Sequence, residues 1–122
     1  MARILVIDDD EQMRSMLRQM LERAGHEVVL ASNGLEGMRL YRQESTDLII
    51  TDIIMPEKEG LQTIRELKTE FPDLKVIAIS GGGSKGNMDF LPVAKVFGAK
   101  RIVTKPFKSQ VMLDIVDDVL EL

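Results

Sequence analysis

Short apolar runs alternate with amphipathic stretches five times along this chain, and that alternation restricts the fold more than any other feature. Arg3 to Ile7 is almost unbroken in apolar residues, the pattern of a strand buried on both faces. Glu27 to Ala31, Leu48 to Thr51, Lys75 to Ile79 and Arg101 to Thr104 repeat the pattern. Between them, apolar residues recur at helical spacing. Met13, Met16, Leu17, Met20, Leu21 and Ala24 form the first stripe; Leu35, Met38 and Tyr41 mark the second; Ile64, Leu67 and Phe71 mark the third. A further helix is expected from Asp89 as N-cap, with Pro92 in its first turn and Phe90, Val93, Ala94 and Phe97 facing inward. Met112, Ile115, Val116 and Val119 give the closing stripe. Gly25 stands where a left-handed C-cap is wanted, Asn33-Gly34 reads as a turn, and Gly81-Gly82-Gly83 as a flexible connection.

Strict βα alternation predicts an α/β fold, a (βα)5 unit whose parallel sheet carries helices on both faces. Ligand sites in such sheets lie beyond the strand carboxyl ends, where the strand order reverses. Runs one, three, four and five each end in a polar residue: Asp8 and Asp9, Asp52, Ser80, and Lys105 before Pro106. Run two contributes none. That asymmetry fits the flavodoxin-like order 2-1-3-4-5, which sets strand two at an edge.

Convergence of acid, acid, hydroxyl and ammonium at one sheet edge suits phosphoryl chemistry. Asp8, Asp9 and Asp52 would repel one another unless protonated or bridged by a cation. Hard carboxylate oxygens suit Mg²⁺, which often completes its shell with phosphate oxygens. Asp52 is the candidate nucleophile, since a carboxylate can accept a phosphoryl group as an acyl phosphate. The transferring group is strongly anionic, so Lys105 and the Ser80 hydroxyl are the candidate charge and donor beside it. Singly, each has a plainer use: Asp9 or Asp10 as a helix cap, Asp52 in a turn, Lys105 as a solvated lysine. The Lys105-Pro106 bond is a candidate for the cis isomer.

Bulk properties narrow the alternatives. The 122 residues suit one domain, and 44% hydrophobic with 30% charged residues is a globular balance. With 20 acidic against 16 basic residues and a net charge of -4, the chain lacks the basic footprint of a nucleic-acid binder. Absence of cysteine removes disulfides and thiolate metal sites. Met-Ala-Arg leads straight into a strand, and no apolar run has the length of a membrane span. A cytoplasmic protein without membrane contact is expected.

Together, the acidic pair of VIDDD, TDIIMPEKEG, IAIS and TKPF resemble the receiver domain of two-component response regulators, over essentially the whole chain. That resemblance implies a phosphoprotein of signal transduction or a phosphorelay, residues 1–122 forming one receiver. Asp52 would accept a phosphoryl group from a sensor histidine kinase or phosphotransfer protein. Asp9, Asp52 and the backbone carbonyl of Ile54 would hold Mg²⁺, with Asp8 acting through water or orienting its partner. Ser80 would be the hydroxyl switch and Lys105 the lysine that contacts the phosphoryl group. Met55-Pro56 and Gly60 match the loop after the acceptor. Such a domain promotes only its own phosphorylation and dephosphorylation, and is not otherwise an enzyme. A downstream protein target would meet the face made by the helix near Asp89, the fifth strand and the closing helix, with Leu91 and Val96 as candidate contacts.

Two positions depart from the family. Ile102 stands where relatives often carry an aromatic, and Gly82 where many carry a larger side chain. With apolar Ile54, Gly82 leaves few groups to guide an attacking water, so a long-lived acyl phosphate is expected. Three rivals are weighed. Asp8 and Asp10 have the D-x-D spacing of haloacid dehalogenase-type phosphatases, but Gln12 stands where that motif wants Thr or Val. A flavin- or nucleotide-binding module needs a phosphate-cradling loop where this chain has Asp-Asp-Asp-Glu. A phosphorylation-independent adaptor would not need the intact constellation. His26 is expected as an exposed turn residue, and the methionines as core filler.

Overall fold

The structure, a computed structural model, describes residues 2–52, 59–80 and 98–122, with positions 59–61 and 80 described by backbone alone. Five parallel strands, β1 (Arg3–Ile7), β2 (Glu27–Ala31), β3 (Leu48–Asp52), β4 (Val76–Ser80) and β5 (Arg101–Thr104), form one sheet. Its order is β2-β1-β3-β4-β5, as the sequence predicts. Helices α1 (Glu11–Arg23), α2 (Gly34–Gln43), α3 (Glu59–Glu70) and the C-terminal α4 (Ser109–Leu120) complete the described elements. Ile54, Met55-Pro56, the Gly81–Gly83 run and the helix expected near Asp89 lie outside the described residues, as does the Ser80 side chain. Among the described residues, no helix is long and apolar enough to cross a membrane.

Period-two alternation along the strands divides the core between the sheet's two faces. Leu5, Ile7, Ile49, Val76 and Ala78 pack with Met38, Tyr41, Ile64 and Leu67 from α2 and α3. Ile4, Val6, Leu48, Ile50, Ile77, Ile79 and Val103 pack with Leu17, Met20 and Leu21 of α1 and Met112, Val116 and Val119 of α4. Ile102 is half-buried against the first of these clusters, an aliphatic side chain where an aromatic was the family alternative.

Local chemistry sets the helix ends. Asp10 caps α1, its Oδ1 accepting from the Gln12 N–H at 2.9 Å. Gly25 at φ 95° ends the helix: its N–H donates to Glu22 and that of His26 to Leu21, the paired bonds of a left-handed C-cap. Four expectations differ from the fold. Asn33-Gly34 is the start of α2, because the Asn33 side chain accepts from the Glu36 N–H at 2.8 Å and so acts as N-cap. The inward stripe of α2 is Gly34, Gly37, Met38 and Tyr41, while Leu35 is 76% exposed. His26 is half-buried, its Nδ1 accepting from the Ala2 N–H at 3.1 Å. Met20, Met38 and Met112 fill the core as expected, but Met16 is exposed.

Candidate functional site

Register carries the polar residues to one edge. Ile7 pairs with Thr51, so Asp8 follows β1 level with Asp52 at the end of β3. Asp52 pairs with Ile79, and Ser80 with Thr104, which puts Lys105 just past β5 on the same edge. Asp8 and Asp52 fall on alternate positions from Val6 and Ile50, and so share the α1 side of the sheet.

Side chains close the distances that register begins. The Lys105 ammonium donates to Asp52 Oδ2 at 2.8 Å across 53 residues of chain, and lies 3.8 Å from Asp8 Oδ2. Carboxylate oxygens of Asp8, Asp9 and Asp52 lie within 4.8 Å of one another. Asp8 and Asp52 are buried and Asp9 is exposed, which leaves the cluster a solvent side. The Lys105–Pro106 peptide is cis.

Electrostatics of the cluster are dominated by burial. Asp8 is 1% exposed, and desolvation raises its pKa from 3.8 to about 6. The Asp10 N–H, donating to Asp8 Oδ1 at 2.8 Å, opposes that rise, and the Asp52 charge adds to it. Burial also pulls on Lys105, but its hydrogen bond to Asp52 and the nearby acids hold the ammonium above its usual pKa. Among the described residues Asp8 Oδ2 is buried with no hydrogen-bond donor, since 3.8 Å to Lys105 is an ion-pair distance only. A buried carboxylate oxygen without a donor, beside two further carboxylates, is a donor set that suits a hard divalent cation.

One residue of the site escapes sequence reasoning. Arg14 Nη1 donates to the Asp8 backbone carbonyl at 2.6 Å. Nothing in the local pattern marks it, because an arginine in an amphipathic helix is ordinary. Asp10, foreseen as a cap, also serves the site through its own N–H. At the opposite edge a hollow is lined by Tyr41, Asp47, Glu70, Phe71 and Lys75. Three of its charges are engaged: Glu70 by Arg42, Lys75 by the Leu120 carbonyl, and Asp47 by the Arg3 N–H.

Comparison with known proteins covers nearly the whole chain. Residues 4–117 match the response regulator receiver domain. Protein PilH of Pseudomonas aeruginosa is 36% identical over 120 residues, 98% of each chain. Chemotaxis protein CheY of Bacillus subtilis is 34% identical over 119 residues, 97% of each. A receiver-domain crystal structure from Clostridium thermocellum superposes with a TM-score of 0.90 at 32% identity, covering 99% of this chain and 95% of that one. The chain also matches a 26% share of the longer transcriptional regulatory protein GlrR of Escherichia coli, at 32% identity. With the family's sheet order and an acidic edge closed by a lysine, this chain belongs to the response regulator receiver family.

Proposed function

We propose that this chain acts as one receiver unit, residues 1–122, which takes a phosphoryl group onto Asp52 from the phosphohistidine of a sensor kinase or phosphotransfer protein. An Asp52 carboxylate oxygen attacks the donor phosphorus, the P–N bond breaks, and its electron pair leaves with the imidazole nitrogen. Asp8, Asp9, Asp52 and the Ile54 backbone carbonyl are the proposed holders of Mg²⁺, which when bound offsets the acids' mutual repulsion and the charge of the phosphoryl oxygens. Lys105 is placed to donate to those oxygens, and the Ser80 hydroxyl is the proposed second donor. The new charge then biases a two-state equilibrium of the later βα units and so changes which downstream protein binds.

The observation that carries this reading is the 2.8 Å contact of Lys105 with Asp52 beside two further carboxylates. Incubation with Mg²⁺ and a small phosphodonor is expected to add one phosphoryl group by intact mass, and Asp52→Asn to abolish it. An adduct that survives the substitution defeats the assignment. Apolar Ile54 and Gly82 support slow hydrolysis, so the adduct is expected to persist in Mg²⁺ buffer. Rapid loss from the isolated protein would reject that part.

A further inference from the structure

We infer that Arg14 is a positioning residue for the acidic cluster, acting through the peptide that joins Asp8 to Asp9. The inference rests on the Mg²⁺-dependent reading above and assigns that site a member on α1. β1 ends its ladder at Ile7, so the Asp8 N–H still reaches the last residue of β2 while the Asp8 carbonyl finds its partner outside the sheet. Its N–H donates to the Ala31 carbonyl at 3.1 Å, and its Oδ1 accepts from the Asp10 N–H at 2.8 Å. Its carbonyl takes the Arg14 guanidinium at 2.6 Å. With those three bonds fixed, Oδ2 is the polar atom of Asp8 left without a donor among the described residues, in the acidic cluster.

Asp9 depends on the same anchor. It is exposed, and no described residue hydrogen-bonds its carboxylate, so what its backbone fixes is the direction of its Cα–Cβ bond. The plane of the Asp8–Asp9 peptide sets that direction, and the Arg14 bond holds the plane's oxygen. A charge-assisted donor holds more firmly than a neutral one, and also brings positive charge toward three acids. Arg14 is itself half-buried, and its charge lies near enough to Glu36 to favour that carboxylate, which accepts from the Ser32 N–H at 2.7 Å. Outer groups that orient metal ligands commonly change metal affinity when removed.

The test uses the full chain and three variants, Arg14→Ala, Arg14→Lys and Arg18→Ala. Arg18 is an exposed control on the same helix, paired among the described residues with Glu22 at 3.7 Å. Mg²⁺ affinity is read by titration calorimetry, phosphorylation rate by intact mass with a small phosphodonor, and folding by the urea midpoint in EDTA. Arg14→Ala is expected to bind Mg²⁺ about tenfold or more weakly and to be phosphorylated correspondingly slowly. Guanidinium ion, well below denaturing concentration and matched in ionic strength with NaCl, is expected to restore part of both. Arg14→Lys, which keeps the charge and moves the donor, is expected to fall between, and Arg18→Ala to match wild type. Affinity and rate within twofold of wild type in Arg14→Ala overturn the inference. So does a loss that tracks the urea midpoint and ignores guanidinium, which would make Arg14 a scaffold residue. If Arg14→Ala does not fold, Arg14→Lys decides: an unchanged Mg²⁺ affinity overturns the inference. A wild-type protein that neither binds Mg²⁺ nor gains phosphate removes the underlying reading, and both fall together.

Discussion

At the residue scale, the burial of Asp8 sets folding against its proposed metal-holding role. Its folded pKa of about 6 lies above the ordinary 3.8, so the folded state binds this proton more tightly than the unfolded chain. The group therefore favours folding most below its unfolded pKa, and that help is lost as pH rises through 6. Glu36 works in the other direction, since its bonds from Ser32 lower its pKa, but it titrates below this window. In metal-free buffer with EDTA, unfolding free energy is expected to fall by about 1 kcal/mol between roughly pH 5 and 7 through Asp8. Asp8→Asn is expected to flatten that slope and to raise stability at neutral pH by about 1–3 kcal/mol, while weakening Mg²⁺ binding. Urea titrations across that range check both. A slope retained in Asp8→Asn would place the proton on another group.

Elements meet closely at α2, whose inward stripe contains Gly37. A Cβ built there would lie 2.8 Å from Ile7 Cγ1 and closer still to Ile7 Cδ1. Ile7 is fully buried and stands one residue before Asp8, so it has little room to retreat. Gly37→Ala is expected to destabilise by about 1–3 kcal/mol through overpacking. That is net of the gain in helix propensity, which by itself is about 1 kcal/mol in the stabilising direction. Gln43→Ala, at an exposed position of the same helix, is the control. A neutral or stabilised Gly37→Ala by urea midpoint would show that Ile7 yields freely. The pattern of apolar residues gave no warning, because a glycine scores as a helix breaker and Leu35 as core. Close approach of helix to strand reverses both.

For the molecule as a whole, a cation bound at the acidic edge as proposed would make stability depend on its concentration. A ligand that binds only the folded state at about a hundredfold its Kd adds about 2.7 kcal/mol to unfolding. Mg²⁺ is therefore expected to shift the urea midpoint upward in wild type and to leave Asp9→Asn nearly unmoved. Equal shifts in both proteins would mean that the ion acts elsewhere. The same comparison separates a specific site from general salt screening, which NaCl at matched ionic strength reproduces.

Much of this architecture is legible in the residues themselves. Runs buried on both faces, alternating with one-sided helical stripes, leave a parallel sheet covered on both sides as the consistent solution. The polar residues after four of those runs then mark its carboxyl edge. Strand bounds shift by one residue at most, as at β3, which reaches Asp52, and β4, which begins at Val76. Helix caps are nearly as legible, since Asp10 and Gly25 act within a few residues of themselves. Three features are decided only by the folded chain: the donorless oxygen of Asp8, the Lys105–Asp52 bond and the hold of Arg14 on the Asp8 carbonyl. Local pattern reports which face a residue takes. Burial and contact distance between segments as far apart as residues 52 and 105 depend on register and packing, which belong to no single segment.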